Sequence, residues 1–176
     1  MAKELLCGTF CLGLVILSLF LFVSLDSLQY NQVGLNYSSY FKSVEDSTYE
    51  SGYHFIGLGH DFIPYDLKIS TMEFGDDKKT RDLPKISCRT KDGLKLDLEV
   101  SFQYRVLKEH IYKIYTKYGD EMKKILLRMA VDSISDTSTL YTSYDFFTFR
   151  ELISAKMKDD LNQRLTTDLY SEVVFF

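Results

Sequence analysis

The stretch Arg89–Val106 reads RTKDGLKLDLEVSFQYRV, and from Leu94 onward apolar and polar residues alternate without interruption. Successive side chains of a β-strand point to opposite faces, so this alternation predicts one long strand, Leu94–Val106, with an apolar and a polar face. The Asp92-Gly93 pair in front of it tolerates the positive φ angles of a type I′ turn. We therefore predict a hairpin in which Leu83–Thr90 is the antiparallel partner.

Upstream of this hairpin the chain alternates between short apolar segments and turn residues. The segments Val33–Tyr37, Tyr53–Ile56 and Tyr65–Phe74 are predicted to be strands. The last residues, 172–176, read EVVFF and predict a final strand.

Beyond the long strand the apolar period changes from two residues to about 3.6, which is typical of helices. A first helix is predicted to end at Gly119, and a second covers Met122–Ile134. Thr148-Phe149-Arg150-Glu151 matches a capping box and predicts the start of a third helix, after a Ser/Thr/Tyr-rich stretch at 135–145. The apolar stripe of the third helix indicates core packing, with a self-association face as the alternative: Phe149, Ile153, Met157, Leu161, Leu165 and Leu169.

The N-terminal segment Leu5–Leu25, centred near Leu14, contains no charged residue. As a helix with a rise of 1.5 Å per residue it would span roughly 31 Å, close to the hydrocarbon thickness of a bilayer. We predict a transmembrane helix between a short tail, 1–4, and one domain, 26–176. A cleaved signal peptide is the alternative, but the segment lacks a basic n-region and a small-x-small cleavage site. Lys3 favours an N-terminus in the cytosol or matrix.

Two modification sites follow from local sequence. Cys7 and Cys11 lie inside the apolar segment, where S-palmitoylation is one interpretation and plain packing in lipid is the other. Asn36-Tyr37-Ser38 is an N-glycosylation sequon, which would matter only in a secretory lumen. With Cys88 as the third cysteine, no disulfide framework is expected.

Composition excludes several classes of function. The net charge is −4 and the basic residues are scattered, which argues against nucleic-acid binding. No phosphate-binding glycine loop, G-x-S-x-G or H-E-x-x-H motif occurs, and His54, His60 and His110 lack a metal-binding spacing. We therefore nominate no catalytic, cofactor-binding or metal-binding residue and expect no small-molecule substrate. A membrane-anchored hydrolase is the enzyme alternative that this absence disfavours.

The ordered set of motifs resembles the SPFH or Band 7 domain of stomatins, prohibitins, flotillins and erlins. The resemblance rests on R-T-K-D-G before a strand ending F-Q-Y-R-V, and on S-G-Y-H-F-I at Ser51–Ile56, which is similar to the G-x-H-F turn of the family. Phe62-Ile63-Pro64, the charged helix Met122–Ile134 and the helix opening at Phe149 follow in the family's order. The resemblance extends from about Tyr30 to Phe176.

The resemblance implies an α+β fold, an antiparallel sheet with packed helices, and a membrane-anchored scaffold. Such a scaffold would form homo- or hetero-oligomers with SPFH proteins and organise a membrane microdomain or partner proteins. The alternative is a regulator that binds one membrane protease or channel client without forming a ring. The mitochondrial inner membrane, the endoplasmic reticulum and the plasma membrane all stay open as compartments. Family members usually continue into a coiled coil, and the chain is expected to end before it. The polar face of the long strand and the last helix are the expected lateral surfaces. The polar face supplies the candidate lateral contacts: Lys95, Asp97, Glu99, Gln103 and Arg105.

Overall fold

The computed structural model describes residues 24–76 and 83–176, which divide after Asp66 into two units. Unit 1 contains only strands among its described residues, and unit 2 contains strands and helices. The predicted α+β class is confirmed, with antiparallel pairing between all the named strands.

Unit 1 is built around a central strand, β2 (Gln32–Ser38), in the strand order β3-β2-β5. A separate antiparallel ribbon pairs β1 with β4. The predicted strands at 33–37 and 53–56 are confirmed. The outer strands are β1 (Leu25–Leu28), β3 (Ser43–Tyr49), β4 (Gly52–Phe55) and β5 (His60–Asp66).

The buried side chains of β2 explain its central place. Val33 and Leu35 are 2% and 0% exposed, and Gly34 between them lets the ribbon approach closely. A Cβ atom on Gly34 would lie 2.8 Å from both methyl carbons of Leu28 on β1. The sequence did not predict β1 or β3, because β3 reads SVEDSTY with little apolar alternation and β1 coincides with the end of the apolar leader.

Unit 2 contains one three-stranded sheet, ordered β10-β9-β6, and one hairpin, β7-β8. The prediction of one continuous strand at 94–106 is wrong, because the ladder is interrupted at Glu99 and its two halves join different sheets. The predicted alternation persists across the break, and Phe102 and Tyr104 are buried. The predicted strand 65–74 is likewise divided between β5 and β6. The strands are β6 (Ser70–Phe74), β7 (Ile86–Arg89), β8 (Lys95–Leu98), β9 (Val100–Val106) and β10 (Ser171–Phe175).

The predicted hairpin is confirmed, but its turn differs from the expected type. The Gly93 amide donates to the Thr90 carbonyl at 2.8 Å, and Gly93 has a φ of 78°. Asp92 does not share this left-handed conformation, which a type I′ turn would require of both central residues. The geometry is that of a type I turn followed by a glycine bulge.

The described residues of unit 2 also contain four α-helices, and the last of them, α4 (Arg150–Leu169), carries its core. The predicted stripe on α4 is buried from Ile153 to Leu169, so its core interpretation is confirmed and the self-association alternative is wrong for these positions. Phe149 is the exception, with 52% exposure. Small side chains of α2, including Ala130 and Thr137, are buried where α2 packs against α4. The helices are α1 (Ile111–Tyr118), α2 (Met122–Ser138), α3 (Ser143–Thr148) and α4 (Arg150–Leu169).

The capping box lies one helix earlier than predicted. At the predicted position, Thr148 donates its hydroxyl to the Tyr144 carbonyl, and α4 begins without a side-chain cap. At the start of α3, the Thr142 hydroxyl accepts from the Asp145 amide, and the Asp145 carboxylate accepts from the Thr142 amide at 2.8 Å. The Thr142 hydroxyl also donates to the Asp145 carboxylate at 2.7 Å. This bond lowers the pKa of the Asp145 carboxyl most, and the bond from the Thr142 amide lowers it further.

Most of the predicted membrane span, including Leu5 and Leu14, lies outside the described residues. Leu25, predicted as its last residue, is instead the first residue of β1 and pairs with Phe55. Within residues 24–76 and 83–176, no helix is both long enough and apolar enough to cross a bilayer.

Candidate functional site

The predicted lateral contacts on β8 are engaged within the domain. Lys95 and Asp97 form an ion pair at 3.2 Å, and the Ser87 hydroxyl on β7 donates to the Asp97 carboxylate at 2.7 Å. The Ser87 hydrogen bond is the main cause of the lowered pKa of the Asp97 carboxyl, and Lys95 lowers it further. Asp97 thus has one partner across the hairpin, Ser87, and one on its own strand, Lys95.

The remaining predicted contacts also have partners. Glu99 lies 3.3 Å from the Lys85 ammonium, and hydrogen bonds from Lys85 to Asp76 and then to Glu99 raise the pKa of Lys85. Arg105 on β9 forms an ion pair with Glu172 on β10. Gln103, on the same strand, sits between Thr71 and Phe175 in the sheet. The structure therefore brings these charges together with neighbours in pairs rather than in one charged cluster.

A group of exposed apolar side chains lies instead on α3 and the first turn of α4. We name it the α3 face: Tyr144, Phe147, Phe149 and Leu152, with exposures of 74%, 89%, 52% and 60%. The sequence did not predict this face, because α3 overlaps the Ser/Thr/Tyr-rich stretch and Phe149 was assigned to the core. The Phe146-Phe147 pair directly after that polar stretch was the signal that could have indicated it.

Beside the α3 face runs an open groove of about 810 Å³, which we name the β8 groove. One wall is formed by β8 with Leu96 and Leu98, and the other by Phe146, Phe147 and Met157. Among the described residues β8 has β7 as a strand neighbour on one side and none on its outer edge. Such an edge exposes backbone groups that can pair with an extended segment.

Asn36, the predicted glycosylation site, lies on the central strand β2 with 7% of its surface exposed. Its Nδ2 donates to Glu45 at 3.0 Å, and its Oδ1 accepts from His60 Nδ1 at 2.9 Å. Nδ2 is the atom that would carry the glycan, so a glycan on the folded domain would compete with Glu45 for space and disrupt the sheet packing. The geometry argues against use of the sequon.

Those of the other predicted positions that the structure describes form no chemical centre. His54 Nε2 is hydrogen-bonded to the Glu50 carbonyl at 2.8 Å, and the His110 ring lies 4.5 Å from the Tyr170 ring. Cys88 is buried and unbridged, whereas Cys7 and Cys11 lie outside the described residues. In the part of the chain that the structure describes, no group of three His, Cys, Asp or Glu side chains is arranged to hold a metal ion.

The α+β domain thus presents three candidate contact surfaces: a sheet face whose charges are paired with neighbours, the apolar α3 face and the β8 groove. A family model described as "SPFH domain / Band 7 family" matches residues 27–169, so the chain belongs to this family, as its motifs predicted. Family membership supports a scaffold-type role and association with membranes and other proteins in general.

Curated relatives include prohibitin 1 of Mus musculus and prohibitin 1 of Rattus norvegicus. Each is 24% identical to the chain over 128 residues. The match covers 72% of the chain and 44% of each relative, so the chain spans less than half the length of these relatives.

Proposed function

We propose that the protein is a single-pass membrane-anchored scaffold that assembles into homo- or hetero-oligomers with SPFH proteins and organises a membrane microdomain or partner proteins. The role proposed is one of binding and organisation, without catalysis. The observation that carries the proposal is the α3 face, a set of large apolar side chains that the folded unit 2 leaves in water.

Exposed apolar clusters on folded domains mark interaction surfaces, whereas single exposed apolar residues are ordinary. Tyr144, Phe147, Phe149 and Leu152 lie within nine residues of each other, and three of them are aromatic. Aromatic side chains contribute strongly to interfaces because each buries a large area with few rotatable bonds. The α3 face is therefore a stronger candidate for the lateral contact than the paired charges of Lys95, Asp97 and Arg105.

The apolar segment 5–23 supplies the second element of the proposal. It precedes the first described residue, Ser24, and contains no charged side chain. An anchor confines the domains to one plane, which raises their effective concentration and turns weak lateral contacts into stable assemblies. Acylation of Cys7 or Cys11 would strengthen the same attachment.

A second candidate function is favoured by the β8 groove. Its apolar walls and the open edge of β8 suit an extended peptide, which would add to β8 as a strand and place alternate side chains between Leu96 and Phe146. A regulator of one membrane protease or channel would use such a groove to hold a segment of its client.

The mass of the complex after extraction in mild detergent distinguishes the two functions. We would compare the full chain with the variant Leu14→Arg/Leu17→Arg, in which two charges interrupt the apolar segment. The scaffold predicts a large assembly that the variant loses. A small complex of defined composition with one client would support the regulator, and a monomer in the unmodified chain would contradict both.

A further inference from the structure

One end of unit 1 collects exposed aromatic and apolar side chains. We name it the aromatic end: Leu25, Tyr40, Phe41 and Phe55, with exposures of 49%, 74%, 83% and 62%. They come from three separate segments, namely the start of β1, the β2–β3 turn and the end of β4. Their meeting at one place is a product of the fold and is not visible in the sequence.

The strand register brings the three segments together. β2 pairs with β5 so that Ser38 lies opposite His60, and β1 pairs with β4 so that Leu25 lies opposite Phe55. The Ser39 amide donates to the Gly59 carbonyl at 2.8 Å, and the Ile56 amide donates to the Ser24 carbonyl at 3.1 Å. These two bonds tie the β2–β3 turn, the β4–β5 loop and the entry of the chain into one end of unit 1.

Close packing at this end holds the Tyr40 ring against the β4–β5 loop. Gly59 has a φ of 68°, and a Cβ atom there would lie 2.1 Å from the Tyr40 ring. Tyr40 therefore rests on the backbone of the β4–β5 loop while most of its ring stays in water. Lys42 adds a positive charge beside Phe41 at the same turn.

The β1–β4 ribbon separates an inner face from an outer one. His54 faces inward, with its ring 5.7 Å from that of Phe62, and Asp26 accepts from the Phe62 amide at 3.1 Å. Phe55 and Leu25 are directly opposite each other and lie on the other face, together with Tyr53, which is 86% exposed. The outer face thus presents apolar rings that unit 1 does not cover.

We propose that the aromatic end seats unit 1 in the headgroup region of the bilayer from which the apolar segment 5–23 emerges. Tyrosine and other amphipathic rings accumulate at this depth because one part of the ring is apolar and another is polar. The chain enters unit 1 at Ser24, within the aromatic end itself, so an anchored segment brings these side chains to the membrane surface. This inference rests on the proposed anchor and adds to it an orientation for unit 1.

The opposite end of unit 1 provides a matched control. Tyr30 lies in the β1–β2 turn and is 81% exposed, close to the exposure of Phe41. The length of β2 separates the two ends by roughly 20 Å at about 3.3 Å per residue. An upright unit 1 therefore keeps Tyr30 in water while Phe41 is in the headgroup region.

The chain contains no tryptophan, so a single introduced tryptophan reports its own surroundings. We would reconstitute the full chain as Phe41→Trp and as Tyr30→Trp in phosphatidylcholine vesicles containing acyl-brominated phosphatidylcholine, which quenches membrane-embedded indole. The zwitterionic lipid avoids repulsion of Asp61, which is exposed near the β2–β3 turn. Vesicle flotation and circular dichroism of both variants would establish attachment and folding.

The inference predicts blue-shifted emission and partial quenching for Phe41→Trp, with the Tyr30→Trp emission unchanged. Equal quenching at the two positions, or no quenching at either while the chain floats with the vesicles, would contradict the proposed position of unit 1 in the headgroup region. Neither result would contradict the membrane anchor. A chain that does not float with the vesicles would overturn the anchor, and the proposed seat would be lost with it.

Discussion

Units 1 and 2 differ in how far they bury their apolar residues. Unit 2 buries Leu126, Leu161 and Leu165 completely beneath its helices and strands. Unit 1 fully buries Val33 and Leu35, but it leaves the rings of the aromatic end in water. Apolar packing thus dominates the stability of unit 2, whereas unit 1 combines a small core with strand register and part-buried polar pairs such as Asn36 with His60.

The difference indicates where each unit can make contacts without loss of folding. In unit 1 the exposed rings contribute little to the core, so they are available to contact a surface outside the domain. In unit 2 the α3 face is a local exception within a well-packed region. Mutations in the two cores should therefore differ in how much they lower the free energy of unfolding and in the measurement that detects the change.

The largest effect is expected from truncation in the core of unit 2. Leu161→Ala removes a side chain of 0% exposure from α4 and should lower the free energy of unfolding by about 2–5 kcal/mol. Thermal unfolding followed by helical circular dichroism reports unit 2, which holds all the helices of the described residues. Leu152→Ala, on the same helix but 60% exposed, should change the free energy by less than about 0.5 kcal/mol. Equal losses in both variants would refute the assignment of the core.

A smaller effect is expected from overpacking in unit 1. Gly34→Ala introduces a methyl group 2.8 Å from the Leu28 side chain and 2.9 Å from Phe62, which should cost about 1–3 kcal/mol. Hydrogen exchange should accelerate at the β2 amides and stay unchanged in α4. Unchanged exchange along β2 would show that the ribbon does not pack on Gly34 as described.

The capping sequences at Thr142 and at Thr148 allow a direct comparison in which the expected effect is smaller. Thr142→Ala should destabilise unit 2 by about 0.5–2 kcal/mol, because it removes the side-chain oxygen that accepts from the Asp145 amide. Thr148→Ala changes the box predicted from sequence and should stay within about 0.5 kcal/mol. Chemical denaturation of the two variants side by side measures the difference, and the reverse order would restore the sequence-based interpretation.

The smallest predicted effect is the pH dependence of that cap. The pKa of the folded Asp145 carboxyl lies below its ordinary value of 3.8. The ionised carboxylate therefore stabilises the folded state fully when the pH is above that ordinary value. This stabilisation is lost as the pH falls through the lower pKa of the folded state. The stability difference between the unmodified chain and Asp145→Asn should therefore be constant near neutral pH and shrink in acid. A difference that grows in acid would contradict the lowered pKa.

Local patterns in the sequence predicted much of the fold. The four-residue step from Ile153 to Leu169 and the alternation through Phe102 and Tyr104 depend on residues close in the chain, and both describe the observed burial. The break at Glu99 depends on the separate strands with which β8 and β9 pair, and a single sequence contains no direct record of that pairing. The strand β3 was missed because SVEDSTY shows little apolar alternation. Local alternation therefore extended one strand too far and left β1 and β3 unpredicted.

The candidate site was harder to predict for the same physical reason. The polar residues of the long alternating segment looked available because their partners come from other segments: Lys85 precedes β7, Ser87 lies on β7 and Glu172 lies on β10. The α3 face was missed because Tyr144 and Phe147 were not assigned to a helix and Phe149 was assigned to the core. Exposure is a property of the folded surface, and sequence spacing did not distinguish Phe149 from the buried positions of α4.

The most direct test of the scaffold proposal is the mass of the detergent-extracted complex in two matched variants of the full chain. Phe147→Ser/Leu152→Ser alters the α3 face, and Lys95→Ser/Arg105→Ser alters the polar sheet face. All four positions are exposed, so both variants should fold. We predict that the α3-face variant loses the large assembly and that the polar-face variant keeps it. An assembly that survives the first variant and is lost in the second would contradict the account and return the lateral contact to the charged strand face.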